Sequence, residues 1–138
     1  MQIPGLQIAP DEEGLAALPW RATRYEGIEW LDLVAPEAEQ PGERASSPSQ
    51  TVLIRMAPGC GYPRHRHIGP EDVLVLAGGY RDEDGRTFEA GQFVRYPQGS
   101  EHTPVALGSA SDSSDACILY AVAHQGTELS EPSVSPPA

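Results

Sequence analysis

His65 and His67 stand two residues apart, shortly after Pro63. In an extended chain, residues i and i+2 leave the same face. Two imidazoles on that face can share one metal ion. Glu71 follows four residues after His67, past Gly69-Pro70, a pair that reads as a bend. The even offset can return its carboxylate to the same face. His102 lies 31 residues beyond Glu71, after Gly99-Ser100. Three of the chain's four histidines thus fall in one candidate site. By ligand type, three imidazoles and a carboxylate suit zinc, iron(II), manganese, cobalt or nickel about equally. A divalent ion bound by neutral imidazoles and one carboxylate keeps net positive charge. Such a centre can polarise a carbonyl, lower the pKa of water or bind dioxygen. Taken singly the same residues have plainer readings. Arg64 and Arg66 alternate with the histidines as on a solvated strand, and Glu71 alone reads as a surface carboxylate. The joint arrangement carries the argument.

The elements that must position these residues read as short strands. Ile28–Val34 alternates weakly. Thr51–Met56 (TVLIRM) is β-branched and apolar. Asp72–Ala77 (DVLVLA) is apolar on both faces, which predicts burial on both. Asp82–Arg86 (DEDGR) carries an Asp-Gly hairpin signal, with Gln92–Tyr96 read as its return strand. The acidic stretch Asp82–Asp84 reads as the solvated tip of that hairpin. Cys117–Ala123 (CILYAVA) is the last strong strand. Ala35–Gln50 and Leu107–Asp115 read as polar loops, and residues 125–138 as a disordered Pro/Ser-rich tail. Residues 1–19 form an N-terminal arm that can carry one helical turn or an edge strand. Many short strands with Gly and Pro punctuation predict an all-β sandwich or barrel.

Composition agrees with one such domain. The chain has 138 residues, 39% of them apolar, and glycine and proline are unusually frequent at 14 each. Nine basic against 20 acidic residues leave a net charge of −11. That balance argues against nucleic acid and against anionic membrane surfaces, both of which need a basic face. The longest apolar run, Cys117–Ala123, is far short of a membrane span. Two cysteines, Cys60 and Cys117, make no disulfide framework and read as small buried hydrophobes, and a cytoplasmic location is expected.

The spacing also has a family counterpart. Gly59, His65, His67, Glu71 and Gly78 resemble the first cupin motif at every fixed position. Gly91, Pro97, Gly99 and His102 resemble the second, except that its usual final Asn is Ala106 here. The wording of Ala57–Pro104 is similar to the ChrR-like cupins, a group that includes the cupin domain of zinc-binding anti-sigma factors and stand-alone bacterial cupins. The resemblance implies a single-domain cupin jelly roll over residues 20–124, with two antiparallel sheets and a metal in the barrel mouth. It implies His65, His67, Glu71 and His102 as ligands, turns with positive φ at Gly59, Gly78, Gly91 and Gly99, and Pro97 as the residue that stiffens the turn aiming His102.

Some relatives of this kind are metal-dependent dioxygenases that cleave C–C bonds in diketone-like or acetophenone-like substrates. The leading expectation is therefore a mononuclear iron(II) dioxygenase acting on a small molecule. Glu71 is expected to act in catalysis as well as ligation, together with Arg55, binding a carboxylate or enolate, and Tyr62, lining the mouth. The alternatives are a zinc or nickel cyclase or isomerase, or a non-catalytic zinc-binding sensor module. Trp30, Phe93, Arg95, Tyr96 and Tyr120 lie on candidate strands as core or surface residues, and His124 reads as a surface residue. A homodimer that covers an exposed sheet edge is also expected.

Overall fold

Among the described residues, short β-branched runs separated by glycine and proline turns fold as twelve strands behind one short helix. The structure, a computed structural model, describes residues 11–34, 49–108 and 116–129. Helix α1 spans Glu12–Ala16. The strands are β1 (Arg21–Ala22), β2 (Ile28–Asp32), β3 (Gln50–Met56), β4 (His65–His67), β5 (Glu71–Ala77) and β6 (Gly79–Arg81). They continue as β7 (Thr87–Glu89), β8 (Phe93–Tyr96), β9 (Glu101–His102), β10 (Val105–Ala106), β11 (Cys117–Ala123) and β12 (Thr127–Leu129). Every pairing among them is antiparallel.

One layer is a six-stranded sheet in the order β1-β2-β3-β11-β5-β8. The opposing layer, expected as a single sheet, is divided into two three-stranded sheets, β10-β6-β7 and β12-β4-β9. Between the layers, Tyr80 and Ala106 of the β10-β6-β7 sheet meet Ile28, Val52, Met56, Val73, Val75, Leu119 and Ala121 of the large one.

The strands with two apolar faces have two cores to fill. Leu53 and Ile118 point away from the barrel interior and join Leu15, Leu18 and Leu31 in a second cluster, with Leu76 and Tyr120 packed at its side. Helix α1 supplies its lid. Asp11 caps the helix by accepting from the Gly14 amide at 2.7 Å, and the Trp20 indole donates to the Leu15 carbonyl at 2.9 Å. Of the arm read over residues 1–19, the described part is one helical turn packed on the sheet's outer face.

Two further expectations change. The Asp-Gly turn does form, but its return strand is β7, and β8 instead crosses to the large sheet beside β5. The three residues between Glu89 and Phe93 include Gly91, where φ is +91°, and there the chain changes sheets. The tail expected from residue 125 contains β12, which pairs Thr127–Leu129 with His67–His65. The expected loop residues 35–48 and 109–115, and the end of the tail from 130, lie outside the described residues.

The outer core yields a test. Leu15 is 1% exposed. Leu15→Ala is expected to lower unfolding free energy by about 2–5 kcal/mol in a denaturant titration, as for other buried Leu truncations. Metal content per folded chain is expected to stay unchanged, because the barrel interior lies on the other side of the sheet.

Candidate metal centre

Strand β4 is extended, so His65 and His67 share its inward face while Arg66 points outward. The two imidazoles are buried, and Arg66 is exposed and pairs with Glu128. Strand β9 pairs with β4 so that His102 sits opposite His65. The turn before it is closed by the Ser100 amide donating to the Pro97 carbonyl at 3.1 Å and the Gly99 amide donating to His67 at 2.7 Å. Gly99 there has φ +86°, a conformation that strains any residue with a Cβ. Gly59, Gly78 and Gly91 also have positive φ, as the motif implies. Glu71 opens β5 on its inward side, followed by Val73 and Val75. One donor atom from each of His65, His67, Glu71 and His102 lies within 4.8 Å of all the others.

The outer hydrogen bonds decide which nitrogen of each ring faces this point. His65 Nδ1 lies 3.0 Å from the Pro63 carbonyl oxygen, which can only accept, so Nδ1 carries the proton. His102 Nδ1 lies 2.9 Å from Asp82 Oδ1 and donates to it. His67 Nδ1 lies 2.9 Å from Ser100 Oγ, whose own proton goes to the Pro97 carbonyl at 2.6 Å. Each neutral ring therefore presents an Nε2 lone pair to the centre. His65 Nε2 and His102 Nε2 stand 2.9 Å apart. His67 Nε2 stands 2.8 Å from Glu71 Oε1 and has no hydrogen-bond partner although it is fully buried. Burial, and next the neighbouring His102, push the His65 pKa down to about 4, which keeps this imidazole neutral. Four converging acceptors in a dry site repel one another unless a cation lies among them. The donor set fits one divalent transition-metal ion.

A cavity of about 30 Å³ abuts His65, Glu71 and His102, while His67 is sealed behind them. Trp30, Val52, Ile54, Tyr62 and Leu119 line it, with Gln50 and Thr127 as polar members. The Tyr62 ring stands edge-on to His65 at 5.3 Å and lies 6.2 Å from Trp30. Burial, and next Tyr25 and Glu71, push the Tyr62 phenol up to about 12, so it stays protonated. Arg55 does not belong here. Along β3, Val52, Ile54 and Met56 face the cavity, and strand alternation sends Arg55 outward with Leu53. Its guanidinium pairs with Glu29, its β2 neighbour, at 3.3 Å.

The sequence matches the family model described as the ChrR Cupin-like domain over residues 14–125. The chain belongs to the ChrR cupin-like family. A chain in the crystal structure of Rhodobacter sphaeroides SigE in complex with the anti-sigma ChrR is 31% identical, with a TM-score of 0.59. That match covers 79% of this chain and 50% of the other, so this cupin spans half the length of its relative. The acetylacetone dioxygenase of Acinetobacter johnsonii is similar in fold at 17% identity and TM-score 0.58, covering 81% of this chain and 69% of that one. The polyketide cyclase RemF from Streptomyces resistomycificus is similar at 15% identity and TM-score 0.57, covering 83% and 81%. No curated protein matches the sequence. Among the described residues, no helix is long and apolar enough to cross a membrane.

In this ChrR-like cupin, Ala106 at the usual Asn position leaves its strand intact. Its amide donates to the Cys60 carbonyl at 2.9 Å and its carbonyl accepts from Gly59 at 3.1 Å. Cys117 is buried and Cys60 half-buried, and neither joins the donor group. Phe93 is exposed, Arg95 pairs with Asp72, and Tyr120 belongs to the outer core. His124 is partly exposed and lies 3.2 Å from Asp72.

Sequence reasoning also placed Asp82 wrongly. It is 2% exposed and supports His102, where a solvated hairpin tip was expected. Strand alternation from buried Tyr80 carries the inward face to Asp82, a signal hidden by the acidic run around it. Tyr96, which donates to Asp82 at 2.7 Å, was read only as a strand residue.

His102→Ala removes one donor and frees the acceptors around it. Elemental mass spectrometry is expected to find about one transition-metal ion per wild-type chain and well under half of that in the variant.

Proposed function

We propose that this protein is a metal-dependent enzyme acting on a small oxygenated molecule, and specifically an iron(II) dioxygenase that cleaves C–C bonds in diketone-like or acetophenone-like substrates. One observation carries the reading. Three of the four donors border an apolar, aromatic-lined cavity, so the candidate centre turns one side toward space for a small molecule. Among the described residues the cavity holds no Arg, which favours a neutral substrate over a carboxylate or phosphate.

His65, His67, Glu71 and His102 would hold the ion, which supplies Lewis acidity and the one-electron chemistry that lets dioxygen react. The protein's own groups have separate tasks. Val52, Ile54 and Leu119 exclude water, and the Trp30 and Tyr62 rings orient a flat substrate. The Tyr62 phenol, protonated throughout the neutral range, donates to a substrate oxygen. Glu71 accepts, on a carboxylate oxygen, the proton lost from the enolisable carbon between two carbonyls. In the overall reaction dioxygen is the oxidant, and both of its atoms end in the two cleaved products.

A second reading is a zinc-holding module without turnover, like the cupin domain of the anti-sigma factors. The 31% identity to a chain of the SigE–ChrR structure and the small cavity favour it. The homodimer also stays a proposal. Strand β8 leaves one edge of the large sheet unpaired among the described residues, with Phe93 62% exposed on it.

Protein purified without chelator and loaded anaerobically with iron(II) is expected to consume dioxygen in an electrode assay with acetylacetone or a hydroxyacetophenone. Tyr62→Phe is expected to lower kcat/KM about tenfold or more while iron content stays at the wild-type level. Native zinc at full occupancy, together with no oxygen uptake after iron loading, would establish the second reading instead. Sedimentation velocity is expected to give the mass of two chains.

A further inference from the structure

We infer that Asp82 is a positioning residue of the metal centre, which fixes His102 in its ligating tautomer and supplies a second buried negative charge to balance a divalent ion. The inference rests on His65, His67, Glu71 and His102 holding a metal. It does not depend on which metal, or on turnover.

The hydrogen bonds run in one direction. Tyr96 Oη donates to Asp82 Oδ2 at 2.7 Å. A phenol has one proton, so the 2.6 Å contact between Tyr80 and Tyr96 is a donation from Tyr80 to Tyr96. His102 Nδ1 donates to Asp82 Oδ1 at 2.9 Å. All three protons point toward one carboxylate, which accepts twice. Asp82 and Tyr80 are 2% and 0% exposed, and Tyr96 is 3% exposed. Water therefore cannot replace any link cheaply.

Burial gives the chain two electrostatic consequences. Desolvation pushes both tyrosine phenols well above their usual range, so they remain donors. The carboxylates of Glu71 and Asp82 are the two buried acids around three imidazoles that must be neutral to ligate a metal. A divalent cation makes that set neutral, and a monovalent or trivalent ion does not. The ordinary worth of such an outer partner is about 10- to 100-fold in metal affinity.

Asp82→Asn keeps the size of the side chain and removes its charge. Cobalt(II) is the probe, loaded into the full chain and titrated against a chelating dye. The variant is expected to bind cobalt(II) about 10- to 100-fold more weakly than wild type. Its d–d absorption is expected to shift, and the thermal midpoint of the metal-free chain to change little. The iron-loaded variant is expected to show a more positive midpoint potential, because one negative charge beside the ion has gone. Tyr96→Phe, which removes one of the two bonds to Asp82 and keeps the ring, is expected to give a smaller loss of affinity in the same direction. It serves as the test if Asp82→Asn does not fold.

Unchanged affinity, cobalt spectrum and potential in both variants would overturn the inference. A weaker affinity with an unshifted spectrum and a much lower metal-free midpoint would also overturn it, since Asp82 would then serve only the fold. A wild-type chain that takes up no cobalt would overturn the metal reading itself, a result distinct from the other two.

Discussion

The structure depends on four lone pairs that face one another in a buried place. An imidazole nitrogen with its proton on the far side is an acceptor, and three of them meet a carboxylate within a few ångströms. The Pro63 carbonyl, Ser100 and Asp82 each take the remote proton of one ring, and so turn its lone pair inward. Those partners come from the segment leading into β4, the turn before β9 and the β6–β7 hairpin, which the β4–β9 and β6–β7 registers hold in place. A one-residue slip in β4 would exchange both histidines for Arg66 and its neighbours on the outer face.

Much of this was legible in the sequence because the informative signals were local. Period-two spacing put His65 and His67 on one face. The even offset across Gly69-Pro70 brought Glu71 back to them. The cupin spacing added His102, which no local pattern connects to β4. The all-β architecture was readable for the same reason, since TVLIRM, DVLVLA and CILYAVA are too short and too β-branched for helices. What was not legible depends on pairing between distant segments. The Asp-Gly signal marked a turn correctly, yet nothing near it distinguishes Thr87–Glu89 from Phe93–Tyr96 as the returning strand. Arg55 and Ile54 are adjacent on β3, and the choice of which one faces the cavity is set by the sheet's inner face.

Asp82 shows how a composition rule misleads at a site. Three acids in four residues at a hairpin read as solvated, and Glu83 and Asp84 are indeed exposed. The first acid turns inward because it still follows the alternation of β6. An anion kept dry beside neutral rings is costly to a fold, and such a cost is retained where a cation shares the space. The same logic covers the outer face of the large sheet. There the second apolar face of β3, β5 and β11 is covered by α1, a segment that carries no chemistry of its own.

Strand β12 joins the metal strand from the far end of the chain. Arg66 and Glu128 pair across 62 residues of sequence, and Thr127 lies opposite His67. During synthesis β4 leaves the ribosome long before its second neighbour exists. His65 and His67 must wait with one side of their strand open until the segment carrying β12 has been made. Pairings of such long range form slowly, after shorter loops have closed. The strand that carries two of the four donors thus gains its second neighbour late in folding.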